Sequence, residues 1–358
     1  MTPWITQPIP FNIGQGAAAG GTPAAGIGGW LELDRDILTG TGSAMSCINF
    51  SAYDNLMIIC YPIFGDTNSK DVKWGMGGTS IDSGSNYSYR FDHNGNGDWT
   101  AVNQTPANNT IINSGNDVSA GFGIFYIVNN PITSEKSLIS NNAVTPTASG
   151  ASDVSGRATL CDKWSNTSDA VQSVEAFRPS YDLLTDSEMI VLGYDSTNET
   201  PFWEELTSVD FSATADTYDT GAFTAKKYLY FNGWVEGSGA TELTMRVNGD
   251  SGTSYACQRE NDGTDASFAS QTFLKCNASG ASDVSITYMN GFWSNIDGAE
   301  KLMNYSQNSS EGSGAGDSPR RSQGAGKFTG TSQITSIQFF NNSTGDFTSG
   351  HITVFGAD

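Results

Sequence analysis

The segment from Asp92 to Asp98 is the clearest candidate for metal chemistry, because oxygen-bearing side chains alternate along it as Asp92, Asn94, Asn96 and Asp98. Calcium takes carboxylate and amide oxygens as ligands, and this alternation, followed by glycine, resembles the first half of a calcium-binding loop. The twelfth position holds Asn103, whereas such loops carry a bidentate Glu there. A polar hairpin tip accounts for the same residues and is the favoured interpretation, with a calcium loop as the alternative.

Residues that could support catalysis are few. The two histidines, His93 and His351, each lie beside a turn residue, and the motifs of a nucleophile elbow, a zinc protease or a phosphate-binding loop do not occur. Glu204 and Glu205 are adjacent, so on a strand they would point to opposite faces and make a poor acid pair. We therefore predict a protein that is not an enzyme and needs no cofactor, apart from the calcium considered above.

Arginines are conspicuous in so acidic a chain. Arg320 and Arg321 form a basic pair, and Arg321 has a sequence counterpart in Arg157. Guanidinium groups form bidentate pairs with carboxylates. Two interpretations stand: Arg157, Arg320 and Arg321 pair with acids of a neighbouring element or subunit, or they are solvated.

Aromatic residues allow a second kind of binding chemistry. Trp74, Trp99, Trp234 and Trp293 could form a sugar-stacking platform on the face of a β-sandwich. Aromatic side chains in such domains more often belong to the core, which is the favoured interpretation. A glycan partner therefore stays open.

Charge limits the choice of partner. The 358 residues include 38 acidic and 17 basic side chains, for a net charge of −21. Such a field repels phosphate backbones and anionic membranes, so we predict neither a nucleic-acid nor a membrane partner. The sequence shows no signal-peptide pattern and no run of apolar residues long enough to span a membrane.

The five cysteines bear on the compartment in which the chain is made. They form no CxxC pair, and none occupies a matched position in the repeat described below. We interpret all five as small buried side chains of a protein made in a reducing cytoplasm. They are Cys47, Cys60, Cys161, Cys257 and Cys276.

The chain contains one module twice. Residues 30–63 align with residues 203–236 without a gap, which places Trp30 on Trp203. A repeat of about 160 residues has the size of a whole domain rather than of a solenoid unit. We predict an arm at residues 1–29, a first module at 30–195, a linker at 196–202 and a second module at 203–358.

Within each module the pattern is that of strands. Apolar runs of strand length, such as residues 56–60, 124–128 and 189–192, are bounded by clusters of Gly, Asn, Asp and Ser. Strand and turn alternate about every 8–12 residues, which favours a sandwich. The sequence predicts an all-β protein of two tandem jelly-roll-like antiparallel β-sandwich domains with an extended N-terminal arm. Residues 300–303 could form one short helical turn.

The first 29 residues differ from the rest. Pro3, Pro8 and Pro10 alternate with apolar residues, and a stretch rich in Gly, Ala and Pro follows. Two interpretations stand: a frayed terminus, or a docking arm whose apolar side chains bury in a partner. We favour the arm, and its docking residues would be Trp4, Ile5, Ile9 and Phe11.

One resemblance to a known family covers nearly all of residues 203–358. It is carried by Phe-Thr-Ala-Lys-Lys-Tyr-Leu at 223–229, by Val-Asn-Gly-Asp-Ser-Gly-Thr-Ser-Tyr at 247–255 and by the closing residues 345–358. These segments resemble β-sandwich modules that recur in structural proteins of marine tailed bacteriophages. The first module matches more loosely, since residues 51–56 lack the lysine pair. The resemblance implies no catalytic residues.

The function expected from this resemblance is structural. Such modules are implied to sit on virions as capsid decorations, fibres or tail components. We expect a non-enzymatic virion protein, made in the host cytoplasm and anchored by its N-terminal arm at the capsid surface as a decoration or minor capsid component. Its partners would be other virion proteins and further copies of itself. The alternative is a tail-fibre or receptor-binding protein that recognises a host surface glycan.

Overall fold

The all-β prediction is confirmed. A computed structural model describes residues 29–65, 71–93, 99–106, 110–112, 118–129, 133–146, 150–239, 241–276, 284–311 and 318–358. Over these ranges the chain forms twenty-four strands and no α-helix. The predicted arm residues Trp4, Ile5, Ile9 and Phe11 lie outside the described ranges. No helix among the described residues is long and apolar enough to cross a membrane.

The first half of the chain contributes twelve strands. They are β1 (Gly29–Ile37), β2 (Ala44–Ile48), β3 (Asn55–Tyr61), β4 (Val72–Gly77), β5 (Tyr87–His93), β6 (Trp99–Gln104), β7 (Thr110–Ile112), β8 (Val118–Val128), β9 (Lys136–Pro146), β10 (Gly156–Trp164), β11 (Ser173–Phe177) and β12 (Glu188–Asp195).

The second half contributes twelve more. They are β13 (Glu204–Phe211), β14 (Thr217–Asp219), β15 (Tyr228–Ser238), β16 (Leu243–Val247), β17 (Tyr255–Asn261), β18 (Thr264–Gln271), β19 (Leu274–Lys275), β20 (Val284–Ser294), β21 (Lys301–Glu311), β22 (Arg320–Phe328), β23 (Ile337–Asn341) and β24 (Asp346–Ala357).

Both halves have the same strand order. In the first half an eight-stranded sheet runs β1-β12-β3-β8-β9-β10-β5-β6, and a four-stranded sheet runs β2-β11-β4-β7. The second half has sheets β13-β24-β15-β20-β21-β22-β17-β18 and β14-β23-β16-β19, so each strand corresponds to the one twelve places earlier. Even the bulge in the first strand recurs, between Glu32 and Asp34 and between Glu205 and Thr207.

A hydrophobic core lies between the two sheets of each half. In the first half Trp74 of the smaller sheet stacks on Phe125 of the larger one, with ring centroids 5.4 Å apart. In the second half Phe339 of the smaller sheet packs against Phe231 of the larger one at 6.2 Å. The paired sheets therefore enclose one apolar layer per half.

The central strand β3 of the first eight-stranded sheet is buried on both faces. Along β3 every residue from Leu56 to Tyr61 is buried. Leu56, Ile58 and Cys60 point into the core of their own half, while the alternate residues belong to a separate apolar cluster. This explains why β3 reads as an unbroken apolar run rather than as an alternating pattern.

A buried polar network recurs in both halves. Asn129, after β8, donates to the carbonyl oxygen of Val171 at 3.1 Å and accepts from its N–H at 2.6 Å. Asn295, after β20, makes the same two bonds with Ile334, also at 3.1 and 2.6 Å. Each asparagine thereby satisfies a buried loop that would otherwise leave backbone groups unpaired.

Two expectations are corrected. Residues 300–303 do not form a helical turn, because Lys301 begins β21 and its buried ammonium group donates to three loop carbonyl oxygens. Cys161 is not a core residue: it is exposed on β10, whereas the other four cysteines are buried. The alternation of a strand places Cys161 on the face opposite to Leu160, which is in the core.

Replacing Asn295 by Ala should lower the free energy of unfolding by about 3 kcal/mol. The substitution leaves backbone groups of Lys226 and Ile334 buried without partners. Urea unfolding followed by tryptophan fluorescence measures the change. Asn198→Ala, at an exposed turn, is the matched control and should cost less than about 1 kcal/mol. Equal, small effects of both substitutions would show that the network does not stabilise the fold.

Candidate functional site

The two eight-stranded sheets pack on each other through the faces that point away from the cores. A third apolar cluster joins the halves, and Phe122 of the first half stacks on Tyr228 of the second with ring centroids 6.2 Å apart. The order of layers is therefore four strands, eight, eight and four. The buried members are Trp30, Met57, Ile59, Tyr61, Ala120, Phe122, Ile124, Ala143, Ile190, Leu192, Trp203, Tyr228, Tyr230, Phe292, Leu302, Ala325, Phe355 and Ala357.

A buried carboxylate fixes one end of this interface. The side chain of Glu188, at 0% exposure, accepts from Arg35 at 2.9 Å and from Lys227 of the second half at 2.6 Å. It also accepts from the hydroxyl of Tyr228. Burial, and then the charge of Glu188, raises the pKa of Tyr228 well above its ordinary value, so this hydroxyl stays protonated and donates. Arg35 also donates to the carbonyl oxygen of Asp358, at 2.6 Å.

Arg157 fixes the other end. This buried side chain donates to Asp92 in its own half at 2.8 Å and to Asp265 in the second half at 3.1 Å. Arg157, one of the three arginines for which ion pairing and solvation were both considered, therefore forms ion pairs that bridge the halves. Further hydrogen bonds across the interface join Asn304 to the carbonyl oxygen of Phe122 at 3.1 Å, Ser155 to that of Ala325 at 2.8 Å, and the N–H of Ser270 to that of Ala151 at 2.6 Å.

The predicted calcium loop is only partly described. Asp92 lies at the end of β5 and pairs with a guanidinium group, which competes with any cation for the same carboxylate. Asn94, Asn96 and Asp98 lie outside the described residues. Among the part of the chain that is described, no cluster of three or more His, Cys, Asp or Glu side chains could hold a metal ion.

The remaining arginines lie at the start of β22. Arg321 donates to both carboxylate oxygens of Glu260 on the neighbouring strand, at 2.9 and 2.8 Å, although 65% of its side chain is exposed. Arg320 precedes it on the same strand. The partners seen for Arg157 and Arg321 belong to the same chain, and pairing between subunits stays a prediction.

Cross-strand pairing defines equivalent rows of side chains on the outer faces of the two large sheets. In the first half the row is Ile37, Glu188, Tyr61, Phe122, Ala143 and Arg157. In the second half it is Asp210, His351, Trp234, Tyr288, Asn308 and Arg321, called the open row below.

The two rows differ in what covers them. Tyr61 and Phe122 are 3% and 0% exposed because the second half packs over them. Their counterparts in the open row, Trp234 and Tyr288, are 41% and 42% exposed. At the aromatic positions this row lies in the interface between the halves in the first half, whereas the equivalent positions of the second half face solvent.

His351 is held in place within the open row. Its Nδ1 lies 2.6 Å from a carboxylate oxygen of Asp210, and its Nε2 lies 3.0 Å from the hydroxyl of Thr353. This order of acid, imidazole and hydroxyl is that of a catalytic triad, but acyl transfer also needs N–H donors for an oxyanion. The backbone beside Thr353 pairs with β13 and β15 on its two sides, so its donors serve the sheet. The arrangement orients the imidazole ring.

The tryptophans considered for sugar stacking separate clearly. Trp74 and Trp293 are core residues at 0% exposure, as the favoured interpretation expected, whereas Trp234 is exposed. The side chain of Trp99 is not described. Tyr288 lies opposite Trp234 on β20, but it could not be identified as a possible stacking residue from the sequence, because only the strand register shows their pairing. The role of Glu188 could not be identified from the sequence either. Its one distinguishing feature there is that it is a charged residue directly before the apolar run of β12.

Comparison of the sequence with protein-family models and with curated proteins gives no match. Sequence similarity to characterised proteins therefore assigns no role to the open row or to the interface, and both are interpreted from their own geometry.

Replacing Glu188 by Ala should lower the free energy of unfolding by about 3 kcal/mol, because Arg35 and Lys227 would lose their buried counter-charge. Thermal and urea unfolding measure the loss. Glu135→Ala breaks an exposed pair with Lys163 and should change stability by less than about 1 kcal/mol. A Glu188→Ala protein as stable as the Glu135→Ala control would contradict the anchoring role.

Proposed function

We propose that this chain is a non-enzymatic structural protein of the virion of a marine tailed bacteriophage, located at the capsid surface as a decoration or minor capsid component. The sequence resemblance of residues 203–358 supports the virion assignment. The net charge of −21 suits a position on the outside of a particle, because the protein would be repelled by packaged nucleic acid.

The observation that carries the structural role is the fused interface between the halves. Domains that move relative to each other usually meet through modest, rather polar contacts. Here two tryptophans, Trp30 and Trp203, are buried together with aliphatic and aromatic residues from both sheets. Buried ion pairs lie at both ends of that layer. Such a block keeps its shape, which suits a building unit of a particle.

We propose that each half is a jelly roll to which two further pairs of strands are added. Successive strands alternate between sheet β1-β12-β3-β8 and sheet β2-β11-β4-β7, which supports a jelly-roll path. The pairs β5–β6 and β9–β10 then widen the larger sheet. The widening contributes to the surface on which the two halves meet, since β9, β10, β21 and β22 lie at their contact.

The partners proposed are other virion proteins and further copies of this chain. Residues 1–29 would act as the docking arm, with Trp4, Ile5, Ile9 and Phe11 as its buried contacts. Symmetric repetition on a shell would then multiply contacts that are individually weak.

Particles from infected cells that produce this chain should carry it on their surface, as measured by antibody-gold labelling and by its copurification through a density gradient. A version that lacks residues 2–29 should stay in the soluble fraction, because the anchoring contacts are gone. Its thermal unfolding should match that of the full chain, which serves as the control for folding.

Two outcomes would overturn parts of this proposal. Full incorporation of the truncated chain would refute the arm as anchor. Absence of the full-length chain from purified particles would refute the virion role itself.

A further inference from the structure

We propose that the open row of the second half binds a neutral glycan. Such a site would bind its ligand in the purified chain, whether or not the chain belongs to a virion. An exposed aromatic pair, the hydrogen-bonding groups on both sides of the pair and the charge around them would form it.

The aromatic pair supplies the apolar part of the site. Trp234 on β15 lies directly opposite Tyr288 on β20, which brings their Cβ atoms to about 5 Å. Both side chains are more than two-fifths exposed. Large aromatic side chains with this exposure are costly to leave in water and are enriched where a ligand covers them. Two adjacent rings offer stacking surfaces for the C–H faces of consecutive sugar units.

Hydrogen-bonding side chains flank the pair within the same row. His351, oriented by Asp210, lies beside Trp234, and Asn308 lies beside Tyr288. The four strands from β24 to β21 cover about 14 Å of sheet, which is enough for a short run of sugars. Aromatic stacking surfaces with a few placed polar groups are the usual composition of a small-molecule site.

The halves also differ in the row of side chains next to this one, two residues away along each strand. In the first half it consists of the buried residues Ile190, Ile59 and Ile124. At the three equivalent positions the second half carries the uncharged polar residues Thr353, Asn232 and Asn290. The repeated module has thus replaced an apolar contact surface by hydroxyl and amide groups next to its exposed rings, and these groups can donate to and accept from sugar hydroxyls.

The first half closes one side of the site. Tyr126 of the first half packs against the apolar cluster that contains Tyr230 of the second half. Burial, and then the charges of Tyr230 and Tyr288, raises the pKa of Tyr126 well above its ordinary value. Directly opposite Tyr126 on β9 is Ile139, which is 47% exposed. A ligand on the open row would therefore reach the junction of the two halves.

The acidic side chains around the open row favour a neutral ligand over an anionic one. Asp210 lies in the row, Glu236 follows Trp234 on the same face, and Arg321 is already paired with Glu260. An anionic polysaccharide or a nucleic acid would meet this field and the net charge of −21. A protein partner fits less well, because a stable interface buries about 800 Å² per partner around an apolar centre. The exposed rings here are bordered by the polar residues Thr353, Asn232 and Asn290 on one side and by Glu236 and Ile286 on the other.

The test is binding of the purified full-length chain to an array of neutral and anionic glycans, followed by calorimetric titration with the neutral oligosaccharides that bind. Trp234→Ala and Tyr288→Ala should each weaken binding at least about tenfold, since a lost stacking ring and its buried area are worth about 1.4 kcal/mol or more. Because both side chains are exposed, unfolding temperatures should hardly change.

The matched control is Tyr181→Ala, which removes a tyrosine of the first half that is 40% exposed and lies outside the open row. It should leave glycan affinity unchanged. Failure to bind every neutral glycan on the array would overturn the proposal. So would equal binding by Trp234→Ala and the control, selective binding of anionic glycans, or a self-association of the chain that Trp234→Ala abolishes.

Discussion

Mutual burial of the apolar parts of the outer faces of the two eight-stranded sheets is the constraint on which the rest of the structure depends. A sheet of this width has two faces, and the four-stranded partner covers one of them. The other face carries Met57, Ile59 and Tyr61 in the first half and Tyr228 and Tyr230 in the second, and the halves cover it mutually. Area removed from water on this face stabilises the chain at about 25 cal/mol per Å².

An apolar layer alone does not fix how two flat faces are oriented. That role falls to charged groups at its ends, where each carboxylate or guanidinium has partners in both halves. Glu188 contacts Arg35 and Lys227, and Arg157 contacts Asp92 and Asp265. Buried ion pairs add little net stability, but a wrong register would leave each charge unpaired at a cost of several kcal/mol. The pairs therefore select one arrangement.

Much of the fold could be predicted from the sequence. The apolar run of residues 56–60 indicated a strand, and turn clusters marked the strand ends. The direction in which the halves pack could not be predicted, because the residues that decide it are ordinary ones such as Glu188 and Tyr228, whose meaning depends on partners more than thirty positions away. The pairing of the exposed residues Trp234 and Tyr288 could not be predicted for the same reason. Residues 300–303 were wrongly interpreted as a possible helical turn, because Leu302 and Met303 pair with both β20 and β22 as part of β21.

Duplication followed by divergence of one surface gives the molecule its asymmetry. The same row of positions joins the halves in one copy and faces solvent in the other, so the interface and the proposed glycan site share an architectural origin. The central claim is that both halves form one cooperative unit, and differential scanning calorimetry of the full chain tests it most directly. We predict a single transition whose calorimetric and van't Hoff enthalpies agree. Two resolved transitions, one for each half, would contradict it.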